Sequence, residues 1–520
     1  MEANAPSATP PSAVPPRAPT LAQAMIPLAF LVVSLGSAVY LYRDEAILGP
    51  VQVALFLSAA IAGLVAHRNG HSVADLSKAA VSSVSSAMGA IFILFAVGAL
   101  IGTWNMSGTI ATMTDWGIRI LSPNFFYATA AIICAAIALG IGSSWTVMAT
   151  MGVALVAVSE ALGLNPAIAA GAVISGSYFG DKMSPLSETT NLAPAVAGTD
   201  LYTHIRAMMA TTIPSIIIAL GIYLVMGLRA NPTGALEQDL ALGAIEQAFS
   251  VGILTLIPLA LVILLAIRKV PPTIAILAGA VTGGLVAIIL QPDVVVAFVG
   301  NEALATPWVM IQGVWDSMAT GFVADTGFPQ LDELISGGGM QSMLNTIWLI
   351  VAALAFGGIM NHSGFLAKLI EPLRRRARTD RGVLVATGTT AIGINVVAAD
   401  QYLAIVLTGN VYKQEYEDRG IAPQTLSRQV EDTATVTSPL IPWNSCGAYA
   451  AGVLGVATVA YFPFAFFNLI NPVISFAFAA LGKHIQRVEP HSHFADAPHD
   501  VQFYGVGGRH ADEVPEQGVD

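Results

Sequence analysis

Apolar stretches of about 20 residues, separated by short polar connections, run along most of this chain, and a helix of that length crosses the roughly 30 Å hydrocarbon layer of a membrane. Leu21–Tyr42 and Ile47–Ala66 predict an opening helical hairpin; a polar connection at 67–78 leads to Val84–Trp104, Phe125–Ile141 and Trp145–Leu162. Met208–Leu228, Ser250–Ile267 and Thr273–Leu290 follow, then Met343–Met360, Val383–Val397, Gln401–Val411 and apolar sequence from Gly447 to Leu481. The pattern predicts an all-α polytopic membrane protein of about 11 to 13 transmembrane helices. Residues 291–339 are mixed, with Pro292, Pro307, Pro329 and the run Gly337–Gly339, and leave room for a re-entrant segment.

One stretch breaks the pattern. Between Gly176 and Asp200 the chain carries Asp181, Lys182, Ser184, Pro185, Ser187, Glu188, Thr189, Thr190 and Asn191, with long apolar runs on both sides. Backbone interrupted by Gly and Pro at membrane depth survives only where it is buried in protein or lines a watery cavity, because hydrocarbon offers no partner to a freed N–H or C=O. Such interruptions mark transport sites. The plainer alternative is a polar surface loop whose Ser and Thr cap the next helix; the density of small oxygen-bearing side chains favours the buried site.

Composition agrees. Of 520 residues, 55% are hydrophobic and 11% charged, against about 25% charged in a soluble domain, and the mean hydropathy is +0.69. The net charge of −11 comes with no basic, aromatic-interleaved patch, which argues against a nucleic-acid partner. Cys134 and Cys446 each lie in apolar sequence and offer neither a disulfide framework nor a thiolate metal site. Residues 1–20 read as a disordered tail and 483–520 as a second one, whose His491, His493, His499 and His510 are solvated rather than metal-binding. Between them the expected organisation is an opening hairpin at 21–82, a first repeat at 83–230, a linker with intervening spans at 231–340 and a second repeat at 341–482.

The repeat is visible in small residues. Ala99, Gly102, Asn105, Ser107 and Gly108 recur as Ala355, Gly358, Asn361, Ser363 and Gly364, 256 positions on (Ser107 to Ser363). Ser184-Pro185-Leu186 recurs as Ser438-Pro439-Leu440 and Ala197-Gly198 as Ala451-Gly452, 254 on (Ser184 to Ser438). Arg374, Arg375, Arg376, Arg378 and Arg381 follow the second copy of the first motif, whereas Arg119 alone follows the first copy. Basic loops stay cytoplasmic, so the copies are inverted and their broken segments meet near the bilayer midplane. Arg68 and Lys78 put the second loop inside, and with it the amino terminus.

A carboxylate in a low-dielectric pocket can hold a proton or a cation but not both well. Asp181 is the leading candidate, with Ser184, Ser187, Glu188, Thr189, Thr190 and Asn191 supplying the oxygens hard cations prefer, and Asp181, Thr190 and Asn191 as the Na⁺ ligands. Lys182 either acts as an internal counter-ion to Asp181 or snorkels to the interface. The second copy offers Asp400, isolated in apolar sequence, and Glu431 and Asp432 ahead of Ser438 and Asn444; the acidic pair falls loosely opposite Asp181. His204 is expected at the interface; His362 stands where the first copy has Met106, which favours a structural role.

The string from Tyr178 to Pro194, YFGDKMSPLSETTNLAP, closely resembles the signature of the NhaC family of Na⁺/H⁺ antiporters, and Ala399-Asp400-Gln401-Tyr402 with Glu431-Asp432 through Asn444 looks like that family's second conserved region. Glu188 departs from it, since relatives often carry Asp there. The resemblance implies a secondary transporter in the cytoplasmic membrane with inverted repeats and broken or re-entrant hairpins. It would exchange Na⁺, or Li⁺, for H⁺, with no cofactor beyond the transported ions, and a homodimer is left open. Some members couple Na⁺ or H⁺ to a small organic anion or amino acid, malate or lactate among them; Trp443 and Asn444 would then line the pocket. An intramembrane aspartyl protease is disfavoured because Tyr178 stands where Gly-x-Gly-Asp needs its first glycine, so no enzymatic activity is expected.

Overall fold

The computed structural model describes residues 16–230, 235–301, 303–325, 332 and 335–488; the C-terminal histidines and most of both tails lie outside them. The described chain is helical throughout, apart from two isolated β-bridges. Nine of its helices are long and apolar enough to cross a membrane, or eleven if each of two sharply bent pairs counts as one span.

The first half runs α1 (Leu21–Tyr42), α2 (Pro50–Arg68), α3 (Val73–Ser86), α4 (Met88–Met106) and α5 (Thr109–Ile120). It continues through α6 (Phe126–Ile141), α7 (Ser144–Ala161, widened by a π-turn at Met148–Gly152), α8 (Pro166–Met183), α9 (Glu188–Ala197) and α10 (Leu201–Arg229). The intervening region holds α11 (Ala235–Ala248), α12 (Ile257–Ile267), α13 (Pro272–Leu290), α14 (Pro292–Val299) and α15 (Thr306–Ala319). The second half comprises α16 (Leu344–His362), α17 (Phe365–Arg376), α18 (Asp380–Ala398), α19 (Gln401–Asp418), α20 (Pro423–Val430), α21 (Ser445–Leu454), the short α22 (Thr458–Tyr461) and α23 (Phe466–Leu481).

The duplication holds in three dimensions and extends well beyond the matched motifs. α4 and α16 end 256 residues apart (Met106, His362), and each passes through a Ser and a left-handed glycine, Gly108 at φ 72° and Gly364 at φ 71°, into a twelve-residue helix. From α7 and α19 onward the spacing is 257 (Ser144 to Gln401, Glu188 to Ser445). The left-handed glycine that ends α9, Gly198, is therefore matched by Gly455 rather than by Gly452. The 254-residue spacing of the Ser-Pro-Leu motif is a local slip. Three residues are missing before it in the second copy and three added after it, so Ser187 and Asn444 still cap equivalent helices.

Contacts between termini establish the inversion. At one end of the molecule Arg17 donates its N–H to Asn69 O at 2.7 Å, the His71 and His362 rings meet at 5.5 Å, and Arg419 and Arg487 both pair with Asp380. At the other end Tyr127 accepts from Asn165 N at 2.9 Å and Arg119 pairs with Glu246. α6 and α7 thus leave from and return to the Arg119 end, whereas α18 and α19 leave from and return to the arginine-rich end. Neither pair traverses the molecule: after the tip of α6–α7 docks beside the end of α8, the ten residues of α9 still run about 15 Å further, toward Lys413 near the arginine-rich end. The two re-entrant hairpins are therefore α6–α7 and α18–α19, stretches whose hydropathy alone reads as ordinary spans.

Within 291–339, where the sequence leaves room for a re-entrant segment, the described residues form α14, α15 and a glycine run that packs on α4, where Gly339 N donates to Gly98 O at 2.6 Å. The halves also interlock: α2 and α3 pack on α16 of the second half, while α13 and α15 pack on α4 of the first. Trp104 Nε1 donates to Gly279 O and Gln52 Nε2 to Asn345 O, each at 3.3 Å, across these contacts.

Candidate functional site

The two broken helices and the two hairpin tips meet in the interior. α8 starts with Asn165 as N-cap and Pro166 at its first position, where a missing N–H costs nothing. It stops because Ser184 turns extended ahead of Pro185, and Ser187 caps α9 by accepting from Thr190 N. The break frees carbonyls that hydrocarbon could not satisfy. Asn191 Nδ2 donates to Pro185 O at 3.0 Å and Ser187 O at 2.7 Å, and Thr190 Oγ1 donates to Lys182 O at 3.1 Å. Two of the three expected Na⁺ ligands thus hold the break open, which leaves the oxygen lone pairs of Thr190 free.

The tip of the first hairpin supplies partners that residue chemistry alone did not single out. Gly142 is left-handed at φ 76°, Ser143 caps α7, and Ser144 donates from its N–H (3.0 Å) and its hydroxyl (2.7 Å) to Asp181 Oδ2. The Asp181 carboxylate therefore sits at a helix N-terminus, where backbone dipoles favour negative charge; the Ser187 hydroxyl stands beside it, and its buried Oδ1 is outside hydrogen-bonding geometry. The signal was Gly142-Ser143-Ser144 standing between two apolar runs.

Opposite lies the second break. α20 widens into a five-residue π-turn, Glu431–Thr435, of the kind that recurs at functional sites, before Ser438–Leu440 and the extended Ile441. Glu431 and Asp432 project from that turn and are fully buried. Lys182 Nζ meets Asp432 Oδ1 at 2.8 Å with neither side chain exposed, and Thr211 Oγ1 donates to the same oxygen at 3.0 Å. Lys182 is thus a counter-ion to the other repeat's Asp432 rather than to Asp181, and it does not snorkel. Both oxygens of Glu431 and Asp432 Oδ2 are buried outside hydrogen-bonding geometry; Lys182 and Asp181 act on Glu431 electrostatically, with the hydroxyls of Thr189 and Thr435 beside it.

The acidic pair is not the repeat mate of Asp181. Counted from the equivalent prolines Pro166 and Pro423, Glu431 and Asp432 fall opposite Ile174 and Ser175, two helical turns earlier. Crossing of the two broken helices, not their internal symmetry, joins the three carboxylates.

The remaining candidates take supporting positions. Asp400 caps α19, accepting from Leu403 N at 2.7 Å, in the position Ser143 occupies in the first copy. Ala399, left-handed at φ 58°, makes that tip, and its carbonyl accepts from Ser445 N. Asn444 caps α21 and reaches Asn395, Ser438 bridges Thr435 O and Gln401 Oε1, and Leu186 N donates to Ser184 Oγ. Glu188 is exposed and accepts from Tyr402 OH at 2.7 Å. Tyr402 and Trp145 are repeat mates (257 apart), and each reaches across to the other repeat: Trp145 stacks on Tyr449 at 3.9 Å. Trp443 is spent on Val396 O. His204 is buried rather than interfacial, hydrogen-bonded to Ser427 at 2.8 Å, and His362 is exposed at the arginine-rich end.

Comparison with known proteins places this arrangement in context. A family model described as the Na⁺/H⁺ antiporter family matches residues 176–483, which takes in both breaks and the second hairpin. The chain is 39% identical to the Na⁺/H⁺ antiporter NhaC of Alkalihalophilus pseudofirmus over 78% of this chain and 85% of that one. It is 34% identical to an uncharacterized Na⁺/H⁺ antiporter of Haemophilus influenzae over 91% and 98% of the two chains. It is also 32% identical to a malate-2H⁺/Na⁺-lactate antiporter of Bacillus subtilis, over 90% and 96%.

Proposed function

Because this chain belongs to the NhaC-type Na⁺/H⁺ antiporter family, we propose that it exchanges Na⁺ for H⁺ across the cytoplasmic membrane by competition of the two ions for the carboxylates of Asp181, Glu431 and Asp432. One observation carries the reading. Among the described residues, Asp181, Glu431 and Asp432 stand in the interior against two buried cations, Lys182 and Arg428, both 1% exposed, with Asp400 set apart as the cap of α19. An uncompensated charge in a low-dielectric interior costs several kcal/mol, so the site calls for one more positive charge, which either a proton or Na⁺ supplies.

The unpartnered oxygens of Asp181, Glu431 and Asp432 are where that charge would bind. Thr189, Thr190 and the carbonyls freed at the breaks contribute neutral ligands of the type Na⁺ takes. The loaded site is neutral and can turn between the two sides of the membrane, whereas the empty one is penalised; that difference couples the two fluxes.

Organic-anion exchange, the activity named for the Bacillus subtilis relative, needs helix N-termini open to a substrate carboxylate. Here the N-terminus of α7 is already taken by the Asp181 carboxylate, and those of α9, α19 and α21 carry the side-chain caps Ser187, Asp400 and Asn444. The test is reconstitution in sealed liposomes with an internal pH dye and an imposed proton gradient. Addition of Na⁺ or Li⁺ alone is expected to dissipate the gradient, and Asp181→Asn is expected to abolish the response at wild-type levels of inserted protein. A response that appears only when malate, lactate or an amino acid is added with Na⁺ would reverse the assignment.

A further inference from the structure

At the arginine-rich end, away from the carboxylates, two surface pockets adjoin. One, of about 560 Å³, is lined by Arg374, Arg375, Arg378 and Arg419 together with Gln414, Glu415 and Asp418. The other, of about 350 Å³, is mainly apolar, formed by Ala18, Pro19, Ala367 and Ile370 beside Lys368 and Glu371. Arg374 and Val411 line both.

The charges of the first pocket are unevenly spent. Arg419 pairs with Glu415 at 2.6 Å and also with Asp380, Gln414 donates to Asp418 at 2.8 Å, and Arg375 pairs with Glu371. The acids are thereby engaged, while Arg374 and Arg378 are exposed and make no ion pair among the described residues. Arg374 and Arg378 are thus the two basic side chains on the wall that no acid neutralises among the described residues. The pocket sits between α17, whose apolar face buries Phe365, Leu366 and Ile370, and α19, the return limb of the second hairpin.

We infer that these paired pockets bind an anionic phospholipid of the inner leaflet, its phosphate on Arg374 and Arg378 and an acyl chain along Ala367, Ile370 and Val411. Orienting the protein needs only basic residues in the loop. A basic cleft that adjoins an apolar slot at the membrane surface fits an amphiphile whose head is anionic. Such a lipid bridges α17 to the limb that carries Asp400 at its far end. The inference does not depend on which ions the protein moves.

Native mass spectrometry of the full-length, delipidated protein in detergent tests it, with cardiolipin, phosphatidylglycerol and phosphatidylcholine as probes. Cardiolipin and phosphatidylglycerol are expected to form retained adducts, phosphatidylcholine not. Arg374→Gln/Arg378→Gln is expected to weaken the anionic adducts about 30-fold, from two surface arginines, while elution volume and melting temperature stay at wild-type values. Excess inorganic phosphate should leave the adducts in place. Equal adducts in the double variant, equal binding of phosphatidylcholine, or displacement by inorganic phosphate would each overturn the lipid assignment, the last in favour of a free-anion site.

Discussion

Lys182 and Asp432 come from different repeats, meet at 2.8 Å with no solvent contact, and form each other's only ion pair among the described residues. Removing one member of such a pair leaves a buried charge alone, which typically costs about 3–5 kcal/mol. Lys182→Met is expected to lower the melting temperature markedly, and Lys182→Met/Asp432→Leu to recover most of that loss without recovering exchange. A single variant as stable as wild type would show that the pair is not buried as described. Ser144 is read differently. Its hydroxyl and N–H both serve Asp181 Oδ2, so Ser144→Ala removes one charge-assisted hydrogen bond, about 1.5–3 kcal/mol, and should raise the Na⁺ concentration for half-maximal exchange by roughly tenfold or more. Ser143→Ala removes only a cap, about 1 kcal/mol of helix stability. Asp181 was legible as an isolated acid in a polar break, but Ser144 was not, because a serine beside glycine in apolar sequence looks like any small packing residue.

The hairpin tips set the next scale. Gly142 is left-handed, and a Cβ there would stand 2.7 Å from Leu186, so side chains are excluded both by backbone strain and by the approach of the tip to the break in α8–α9. Gly142→Val is expected to insert into the membrane at normal levels yet lose most Na⁺-driven proton movement. Gly36→Ala, where the added methyl meets open space, should transport like wild type. Equal activity in the two variants would mean that contact between tip and break is dispensable. Asp400 makes the complementary point. Its solitary position in apolar sequence read as functional, and the fold uses it as the cap of α19, in register with Ser143. Capping a helix that starts inside protein and binding an ion both call for an exposed oxygen at a break, so the residue type does not separate them.

Across the whole molecule, the prediction concerns sidedness. Single cysteines placed beside Arg119 and beside Arg375 should react with an impermeant maleimide from opposite faces of sealed vesicles, against a background in which Cys134 and Cys446 are buried. Labelling of both from one face would remove the inversion. α2 and α3 of the first half lie on α16 of the second, and α13 and α15 of the intervening region lie on α4 of the first, so that no part packs by itself.

Sequence alone determined that the chain is a bundle of apolar helices, that it is duplicated, and that the copies face opposite ways, because helix length against bilayer thickness, small-residue spacing and loop charge are all local quantities. It also located the breaks, since Pro, Ser and Asn at membrane depth must do something with freed backbone groups. Which apolar pairs turn back inside the protein was left to the tertiary structure: a 16-residue limb of a re-entrant hairpin has the hydropathy of a span, and only contact between its ends tells them apart. The meeting of Asp181 with Glu431 and Asp432 was decided the same way. They lie 250 residues apart (Asp181 to Glu431), out of register with the repeat, and are joined by the crossing of two broken helices, a long-range geometry that no spacing along the chain encodes.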